Sequence, residues 1–337
     1  MKEQKNKLFI GMLVSIISLS TAFSAEDKLA QTGFQFLSVT SDAAAGGMGE
    51  AVTTLTLNSR SMFYNPAGMS KQKQLFDIAL SSNKWIAGIQ HNTISASFNP
   101  KNGRYGVFGV SFQNVDYGDD IQGTVVWNNE QGYKDTEIIN PSATAIGFGY
   151  AKSLSDKFSI GLHIKNATQS LGRSEIPDSD TTTAVVKNTI SAVAFDFGTI
   201  YYTGWKDFSF GMSIRNFSQE IKYRTEGFQL PLTFTMGASI DMMEFMDKLK
   251  DRHSLILSVD ALHPRSYSER VNVGLEYSLM NFLTLRSGYM FNYDERGASA
   301  GISLRKSLGR VMLEVDYAYT PFGIFDNVQR FSLNFGF

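Results

Sequence analysis

The chain has 337 residues, 43% hydrophobic and 13% aromatic, and its 31 Lys and Arg nearly balance its 32 Asp and Glu. Without an excess of basic residues, the chain lacks the positive charge with which nucleic-acid-binding proteins neutralise phosphates. The absence of cysteine excludes disulfide scaffolds, iron–sulfur clusters, cysteine–zinc sites and thiol catalysis.

The amino terminus has the pattern of a secretory signal peptide. Three lysines precede an apolar core at residues 8–19, and small residues surround a cleavage site after Ser24 or Ala25. A transmembrane anchor is the alternative, but an apolar run of about 12 residues is shorter than the ~20 that a spanning helix needs. We therefore assign residues 1–24 to a signal peptide and expect an exported protein, either soluble or a barrel of a Gram-negative outer membrane.

Residues 25–73 lack the regular alternation of the rest of the chain. The phosphate-loop patterns GxGxxG and GK[ST] are missing, which disfavours a nucleotide site. We expect a compact, plug-like segment that lies inside a barrel or seals its periplasmic mouth. Its candidate plug motif consists of small, turn-forming residues: Gly46, Gly47, Gly49, Asn65, Pro66 and Gly68.

From about residue 75 onward, the chain breaks into short segments in which apolar and polar or small residues alternate. Val311, Leu313, Val315 and Tyr317 share one face of such a segment. Period two with two different faces predicts strands that meet two different solvents. The fourteen predicted strands begin near residues 75, 92, 104, 142, 158, 189, 206, 230, 253, 270, 282, 298, 310 and 328.

This pattern predicts an all-β transmembrane antiparallel β-barrel of about fourteen strands over residues 74–337. An even strand number and strands of about 9–12 residues are typical of bacterial outer-membrane barrels. Twelve or sixteen strands remain open, because residues 121–127 have the pattern of an extra hairpin arm above the membrane. A soluble β-sandwich is the alternative fold.

The connections favour the barrel over the sandwich. Long loops, such as 115–141 and 169–188, fall on one predicted side and tight turns, such as 307–309, on the other, as in outer-membrane barrels. The exception is 242–252, for which we predict a short helix at the periplasmic end. In the last strand Phe331, Leu333, Phe335 and Phe337 alternate with other residues, and the chain ends on the aromatic Phe337, which is the usual form of an outer-membrane assembly signal.

Several blocks of the sequence, taken in order, carry a resemblance: Phe36–Leu37, Ala43–Glu50, Tyr64–Gly68, Asp196–Gly198 with Tyr201, Arg215–Phe217, Leu230–Leu232, His263–Pro264, Glu269–Tyr277, Leu285–Tyr289, Asp316–Tyr319 and Arg330–Leu333. They resemble the PorV/PorQ family, which belongs to the class of long-chain fatty-acid-transporter-like (FadL-like) barrels. The resemblance implies a fourteen-stranded outer-membrane barrel with its amino-terminal segment near the lumen. For PorV-like members it implies an accessory role in type IX secretion, in which the barrel receives secreted proteins through their carboxy-terminal signal domains.

Eight charged residues occupy the polar faces of predicted strands. They are Asp196, Arg215, Asp260, Glu276, Arg286, Glu314, Asp316 and Arg330. A cation facing lipid near the midplane would cost ~2–4 kcal/mol, so we expect these side chains in the lumen. We expect Glu276 to pair with Arg286, and Glu314 and Asp316 to meet Arg330. Together they form either an ion-pair network that holds the plug or a polar pathway for a ligand.

The predicted outer loop at 115–141 carries Tyr117, Trp127 and Tyr133 among acidic residues. Exposed aromatics in a polar loop suit contact with a protein partner, although the loop would equally bury these rings by folding over the barrel mouth. The four histidines lack metal-binding spacing, and there is no GxSxG elbow. We therefore expect no metal site, no cofactor and no enzyme activity.

The strand pattern thus predicts an outer-membrane barrel, and the resemblance implies that this barrel is a non-enzymatic accessory of protein secretion. Its expected partners are outer-membrane lipid, the translocon and secreted client proteins. The first alternative is a passive channel for hydrophobic small molecules such as fatty acids, with a movable plug. The second is an outer-membrane hydrolase, which would place a serine near a histidine and an acid at the outer rim.

Overall fold

The computed structural model describes residues 31–118, 120–178, 182–222, 226–246 and 252–337. Within this part of the chain, fourteen antiparallel strands close into a barrel. The predicted signal peptide at residues 1–24 lies outside the described residues, so that assignment stays a prediction.

The described strands are β1 (Phe76–Lys84), β2 (Gln90–Phe98), β3 (Val107–Asp116), β4 (Ile121–Val126), β5 (Tyr133–Ile139), β6 (Ser142–Ser153), β7 (Phe158–Pro177), β8 (Thr183–Tyr202), β9 (Ser209–Ser218), β10 (Ile221–Lys222), β11 (Gly227–Phe228), β12 (Thr233–Asp241), β13 (His253–Pro264), β14 (Arg270–Leu279), β15 (Leu283–Phe291), β16 (Ala298–Leu308), β17 (Val311–Phe322) and β18 (Phe325–Gly336). The pairs β4–β5 and β10–β11 form small separate sheets, and the other fourteen strands form the barrel wall. The all-β barrel of fourteen strands is confirmed, and the predicted strand starts deviate by at most six residues.

The barrel closes along a seam between its first and last strands. β1 pairs with β18 from Asp77 opposite Gly336 to Lys84 opposite Gln329. The amide of Phe337 donates to the carbonyl of Phe76 at 2.9 Å. The terminal aromatic residue therefore takes part in closing the barrel.

The wall strands present an apolar outer face and a polar inner face. In β1, Phe76, Ile78 and Leu80 face outward and are exposed, whereas Asp77 and Asn83 face inward and are fully buried. This arrangement is the reverse of a soluble protein and suits a barrel surrounded by lipid. In the described residues, no helix has the length and apolar character needed to cross a membrane.

The two ends of the barrel differ in their connections. At the end with tight turns, here called the inner end, β14 and β15 are joined by residues 280–282. At the opposite, outer end, β7 and β8 stay paired as far as Pro177 opposite Thr183. The prediction of a loop at 169–188 is therefore largely wrong, because most of these residues belong to β7 and β8. Both faces of this extension are solvated, so no apolar alternation reveals the strands.

Two smaller connections also depart from a simple loop. The hairpin arm considered for residues 121–127 is present, because β4 pairs with β5 outside the wall. In the helix predicted at 242–252, the described residues form one 3-10 turn, Met242–Phe245, capped by Asp241, which accepts a bond from the amide of Met243 at 2.8 Å.

Residues 31–72, here called the plug, fill the interior of the barrel. Thr32 forms a β-bridge with Gln229 at the outer end, and the side-chain amide of Asn99 donates to the carbonyl of Gln72 at the inner end, 2.5 Å away. The segment therefore spans the interior lengthwise. Its helical elements are 3-10 turns at Gln35–Ser38, Asn58–Phe63 and Pro66–Lys71, and the short helix α1 at Ala43–Gly47.

Small residues allow the plug to lie close to the wall. Helix α1 has the sequence AAAGG, is buried throughout, and is capped by the Asp42 carboxylate, which accepts from the amide of Ala45 at 2.9 Å. On β7, a Cβ added to Gly161 would overlap the amide nitrogen of Ala67 and the carbonyl of Pro66. Glycine at this wall position is therefore what lets the plug backbone approach.

We expect Gly161→Ala to lower the free energy of unfolding by about 1–3 kcal/mol, because the added methyl overpacks the contact between plug and wall. Urea titration of the detergent-solubilised barrel, followed by tryptophan fluorescence, measures this loss. Gly297→Ala is the matched control, because its Cβ would meet the Tyr289 ring at an ordinary 3.4 Å. Equal transition midpoints for the two variants would contradict the tight plug contact.

Candidate functional site

The eight charged residues predicted for the lumen all lie on wall strands with their side chains turned to the interior. Asp196, Asp260, Asp316 and Arg330 are at most 1% exposed. Glu314 and Arg286 are also buried. The remaining two contact interior groups: Glu276 accepts a bond from Arg286, and Arg215 donates to the carbonyl of Phe63 in the plug at 2.8 Å.

An arginine of the plug forms the centre of this charge network. Arg60 donates to Asp42 of the plug at 3.0 Å, to Asp316 at 2.8 Å and to Glu314 at 3.3 Å. Burial alone would lower the pKa of the Arg60 guanidinium, but these three carboxylates raise it well above its usual value. Arg60 therefore stays charged and links the plug to β17.

The predicted pairs between neighbouring strands form only in part. Arg286 pairs with Glu276 at 2.6 Å, as expected, and also reaches Asp316 at 3.3 Å. The pairing of Arg330 with Glu314 and Asp316 is wrong, because Arg60 enters the lumen and takes these carboxylates. Arg330 instead donates to the carbonyl of Thr40 at 2.9 Å and to the hydroxyl of Thr320 at 2.8 Å.

Two further aspartates of the wall bind the plug at other positions along the barrel. Asp77 of β1 accepts from the amide and hydroxyl of Ser59 at 3.0 and 2.6 Å. Asp260 of β13 accepts from the amide and hydroxyl of Thr53 at 3.0 and 2.7 Å. The plug is therefore held by β1 and β13 as well as by β17.

The plug's second acid faces the outer end. Glu50 accepts a bond from Arg296, in the connection between β15 and β16, at 2.5 Å. Burial alone would raise the pKa of the Glu50 carboxyl, but Arg296, Arg330 and Arg215 together lower it below its usual value. Glu50 therefore remains an anion that ties the plug to an outer loop.

The candidate plug-motif residues lie where the plug meets the wall or turns. Asn65 is the most connected: its side-chain amide donates to the carbonyl of Thr53 at 2.8 Å, and its side-chain oxygen accepts from the amide of Ala67 at 3.1 Å. Gly49 has φ of +60° and lies against the backbone of Gly288. The others lie in the same plug–wall contacts or turns: Gly46 beside Arg330, Gly47 beside Gly301, Pro66 beginning a 3-10 turn, and Gly68 beside Ser61.

Sequence reasoning did not identify Arg60, Asp77 or Arg296. A signal existed for Arg60, because it and Lys71 are the two basic residues of the plug. Asp77 and Arg296 give no comparable signal. Asp77 resembles any polar strand residue, and Arg296 lies in a loop.

A serine, a histidine and an aspartate form a hydrogen-bonded relay inside the wall. Ser111 lies 2.8 Å from Nε2 of His163, and Nδ1 of His163 lies 2.8 Å from Asp196. Asp196 also accepts from Lys165 at 2.7 Å and from the amide of Asn216 at 2.6 Å. This is the order of groups in a serine hydrolase.

The space around the relay does not suit a hydrolase. Ser111 lines a cavity of about 20 Å³, which holds water-sized molecules rather than an acyl substrate. Ser111, His163 and Asp196 are all buried in the barrel interior, not at the outer rim where the hydrolase alternative places them. The same aspartate thus holds His163 and the buried Lys165 in one hydrogen-bond network.

The outer end carries a larger apolar pocket of about 560 Å³. Phe34 and Phe36 of the plug form its floor, and the Phe34 ring stacks on Phe228 with centroids 6.2 Å apart. Two polar atoms that border it, Nδ1 of His91 and Nε2 of Gln35, are buried without a hydrogen-bond partner among the described residues. The remaining apolar lining includes Val39, Trp85, Ile89, Tyr117 and Leu171.

The three aromatic residues predicted for partner contact separate into two places. Tyr117 is half-buried and lines the apolar pocket. Trp127 and Tyr133 lie on the hairpin arm, where Lys134 lies 5.7 Å from the Trp127 ring centre and Tyr133 is exposed. The loop thus folds one ring into the mouth and holds the other two outside it.

A family model described as "Type IX secretion system protein PorV" matches residues 23–260. No curated protein matches the chain by sequence.

Solved barrels share the fold at low sequence identity. The toluene transporter TbuX of Ralstonia pickettii is 11% identical, with a TM-score of 0.56 over 87% of this chain and 97% of that chain. A FadL homologue of Pseudomonas aeruginosa is 13% identical, with a TM-score of 0.54 over 88% of this chain and 98% of that chain. The toluene transporter TodX of Pseudomonas putida is 11% identical, with a TM-score of 0.55 over 87% and 96%. These likenesses establish a common FadL-like fold.

Proposed function

Since this chain belongs to the PorV family of type IX secretion system proteins, we propose that it binds secreted clients and translocon components at its outer rim, without catalysis. It is an outer-membrane β-barrel with the FadL-like fold. We further propose that the signal peptide at residues 1–24 directs its export.

The observation that carries this proposal is the fixed plug. Buried side chains join it to three parts of the wall, through Arg60 to Asp316, Ser59 to Asp77, and Thr53 to Asp260. Removing one partner of a buried ion pair costs about 3–5 kcal/mol, so withdrawing the plug would break several costly contacts at once. A barrel filled by a fixed plug is therefore better suited to be a rigid platform for protein partners than an open channel.

The outer rim supplies surfaces suited to protein recognition. On the hairpin arm Val126 is 80% exposed and Ile138 is 63% exposed. Exposed apolar side chains rimmed by polar residues are typical of protein interaction sites. The apolar pocket beside the arm adds a concave surface that would accept an aromatic or aliphatic side chain.

A second candidate function, binding of hydrophobic small molecules, is favoured by the apolar pocket alone. Its 560 Å³ would hold a small hydrocarbon, and two solved barrels of the same fold are described as toluene transporters. The pocket ends on Phe34 and Phe36 of the fixed plug. We therefore expect binding there without passage across the barrel.

Affinity capture from mildly solubilised native outer membrane, followed by mass spectrometry, tests the proposal. We expect translocon components or secreted clients to copurify with the wild-type barrel. The double variant Val126→Ser/Ile138→Ser should reduce their recovery by about tenfold, equivalent to ~1.4 kcal/mol, because it removes exposed apolar contacts from the arm. Leu154→Ser is the matched control, since Leu154 is exposed at the inner end.

Two outcomes would contradict the proposal. One is recovery of the wild-type barrel alone, with fatty acid or hydrocarbon in its intact mass, which would support the small-molecule alternative. The other is a loss of partners in the Leu154→Ser control equal to that in the arm variant.

A further inference from the structure

Arg270, at the start of β14, is clamped between two tyrosine rings at the outer mouth. Its guanidinium carbon lies 3.8 Å from the centre of the Tyr267 ring and 4.1 Å from the centre of the Tyr293 ring. Rings at these distances occupy the faces of the guanidinium and fix its plane. The N–H groups, which lie in that plane, stay available for an acceptor.

The Arg270 guanidinium makes no hydrogen bond or ion pair within the described residues. Its Nε is buried without a hydrogen-bond partner, and the nearest acid in sequence, Glu269, accepts from His263 at 3.2 Å instead. A buried guanidinium nitrogen that lacks an acceptor is costly. The clamp therefore holds Arg270 in a position that an incoming anion would stabilise.

The surroundings of Arg270 are strongly cationic. The cavity it borders, of about 40 Å³, is also lined by Arg215, Arg265 and Arg296, against the single carboxylate of Glu50. Glu50 is already bonded to Arg296. Four arginines and one carboxylate leave a net positive charge at this point, here called the arginine pocket.

The arginine pocket adjoins the apolar pocket. Gln35 of the plug lines both of them, and its Nε2 is buried without a partner in the described part of the chain. A ligand that spans Gln35 would present an apolar group to one side and an anionic group to the other. The amide of Gln35 would donate a hydrogen bond between the two.

We propose that the arginine pocket binds a carboxylate of a polypeptide partner, with Arg270 as the anchor and an adjacent apolar side chain in the apolar pocket. A carboxylate matches the planar fork of an arginine through two parallel hydrogen bonds, and the small cavity suits a single such group. This inference rests on the proposed function, because it takes the ligand from a protein partner.

Isothermal titration calorimetry on the full-length barrel in detergent tests the proposal with two probes. One is a short acetylated peptide ending in phenylalanine with a free carboxylate, and the other is the same peptide with a carboxamide end. We expect the free acid to bind at least about tenfold more tightly than the amide. Arg270→Gln should remove this preference and leave the weak binding of the amide unchanged.

Two further variants keep the test decisive. Arg104→Gln is the matched control, because Arg104 lies over the Tyr105 ring, 5.9 Å from its centre, at the inner end, and should leave the preference intact. Arg265→Gln removes an exposed lining arginine and should weaken the free acid severalfold even if Arg270→Gln fails to fold. Equal binding of acid and amide to the wild-type barrel would overturn the proposal.

A phosphate ligand is the rival outcome. If inorganic phosphate displaces the acid peptide at lower concentration than acetate does, or if vesicles of anionic lipid bind in an Arg270-dependent way, the pocket is a phosphate site and the proposal is wrong. If the proposed function itself is wrong, capture from the outer membrane will yield no secretion components, whether or not the peptides bind to the barrel. If partners are captured but acid and amide bind alike, the pocket assignment alone fails.

Discussion

Replacing Arg60 by methionine should lower the free energy of unfolding by about 3–5 kcal/mol, because a buried ion network would lose its one plug-borne cation. Arg60 contacts Asp42, Glu314 and Asp316, and all four side chains are at most 5% exposed. Glu314 would keep Arg305, and Asp316 would keep Arg286. Asp42 would lose its one ion pair among the described residues. We therefore expect the largest destabilisation on the plug side of the network.

Urea titration of the folded barrel, read by tryptophan fluorescence and by the mobility of unheated samples on gels, measures this loss. Arg173→Gln provides the matched control, because Arg173 pairs with Glu137 at 3.7 Å on the exposed outer extension. Exposed pairs contribute about 0–1 kcal/mol. If Arg60→Met and Arg173→Gln shift the transition equally, the plug is not held by its buried charges.

Replacing Asp196 by asparagine should cost a similar ~3–5 kcal/mol. Asparagine keeps the shape of the side chain but removes the charge, and Lys165 then loses the carboxylate that it contacts at 2.7 and 3.0 Å. Lys165 is buried, so its ammonium group would be left without a counterion. Comparison of urea transitions measures the effect.

Ser111→Ala is the control that separates structure from catalysis. It removes one hydrogen bond to His163 and should cost only about 1 kcal/mol. If the relay serves structure, Asp196→Asn is far more damaging to stability than Ser111→Ala. Covalent labelling of Ser111 by a fluorophosphonate in the folded barrel would contradict this interpretation and revive the hydrolase alternative.

The wall was predictable because lipid and lumen impose a repeating pattern on every strand. The eight interior charges followed from the same logic, since each lies on the polar face of an alternating segment. The pair Glu276–Arg286 was also accessible, because the two residues are directly opposite on β14 and β15.

The features that the sequence did not predict lie outside the alternating pattern of the strands. The partner of Glu314 and Asp316 comes from the plug, at Arg60, more than 250 positions away along the chain. Pairing rules for adjacent strands therefore chose Arg330 wrongly. The outer extension of β7 and β8 escaped for another reason: both of its faces are solvated, so polar residues there resemble a loop.

Several features of the outer mouth also gave no sequence signal. Tyr267 and Tyr293 lie in two different connections, and they meet around Arg270 at the start of β14 because β14 and β15 are neighbours. A cavity formed in this way depends on strand register and loop course together. Its recognition required the structure.

We propose that this barrel serves protein secretion rather than acting as a channel. The most direct measurement is to delete its gene in the native bacterium and compare, by mass spectrometry, the proteins of the culture medium with those of the periplasm. We expect clients of the type IX system to disappear from the medium and accumulate in the periplasm, and we expect the wild-type gene to restore their secretion. Unchanged secretion, together with lost uptake of a hydrophobic compound, would contradict it.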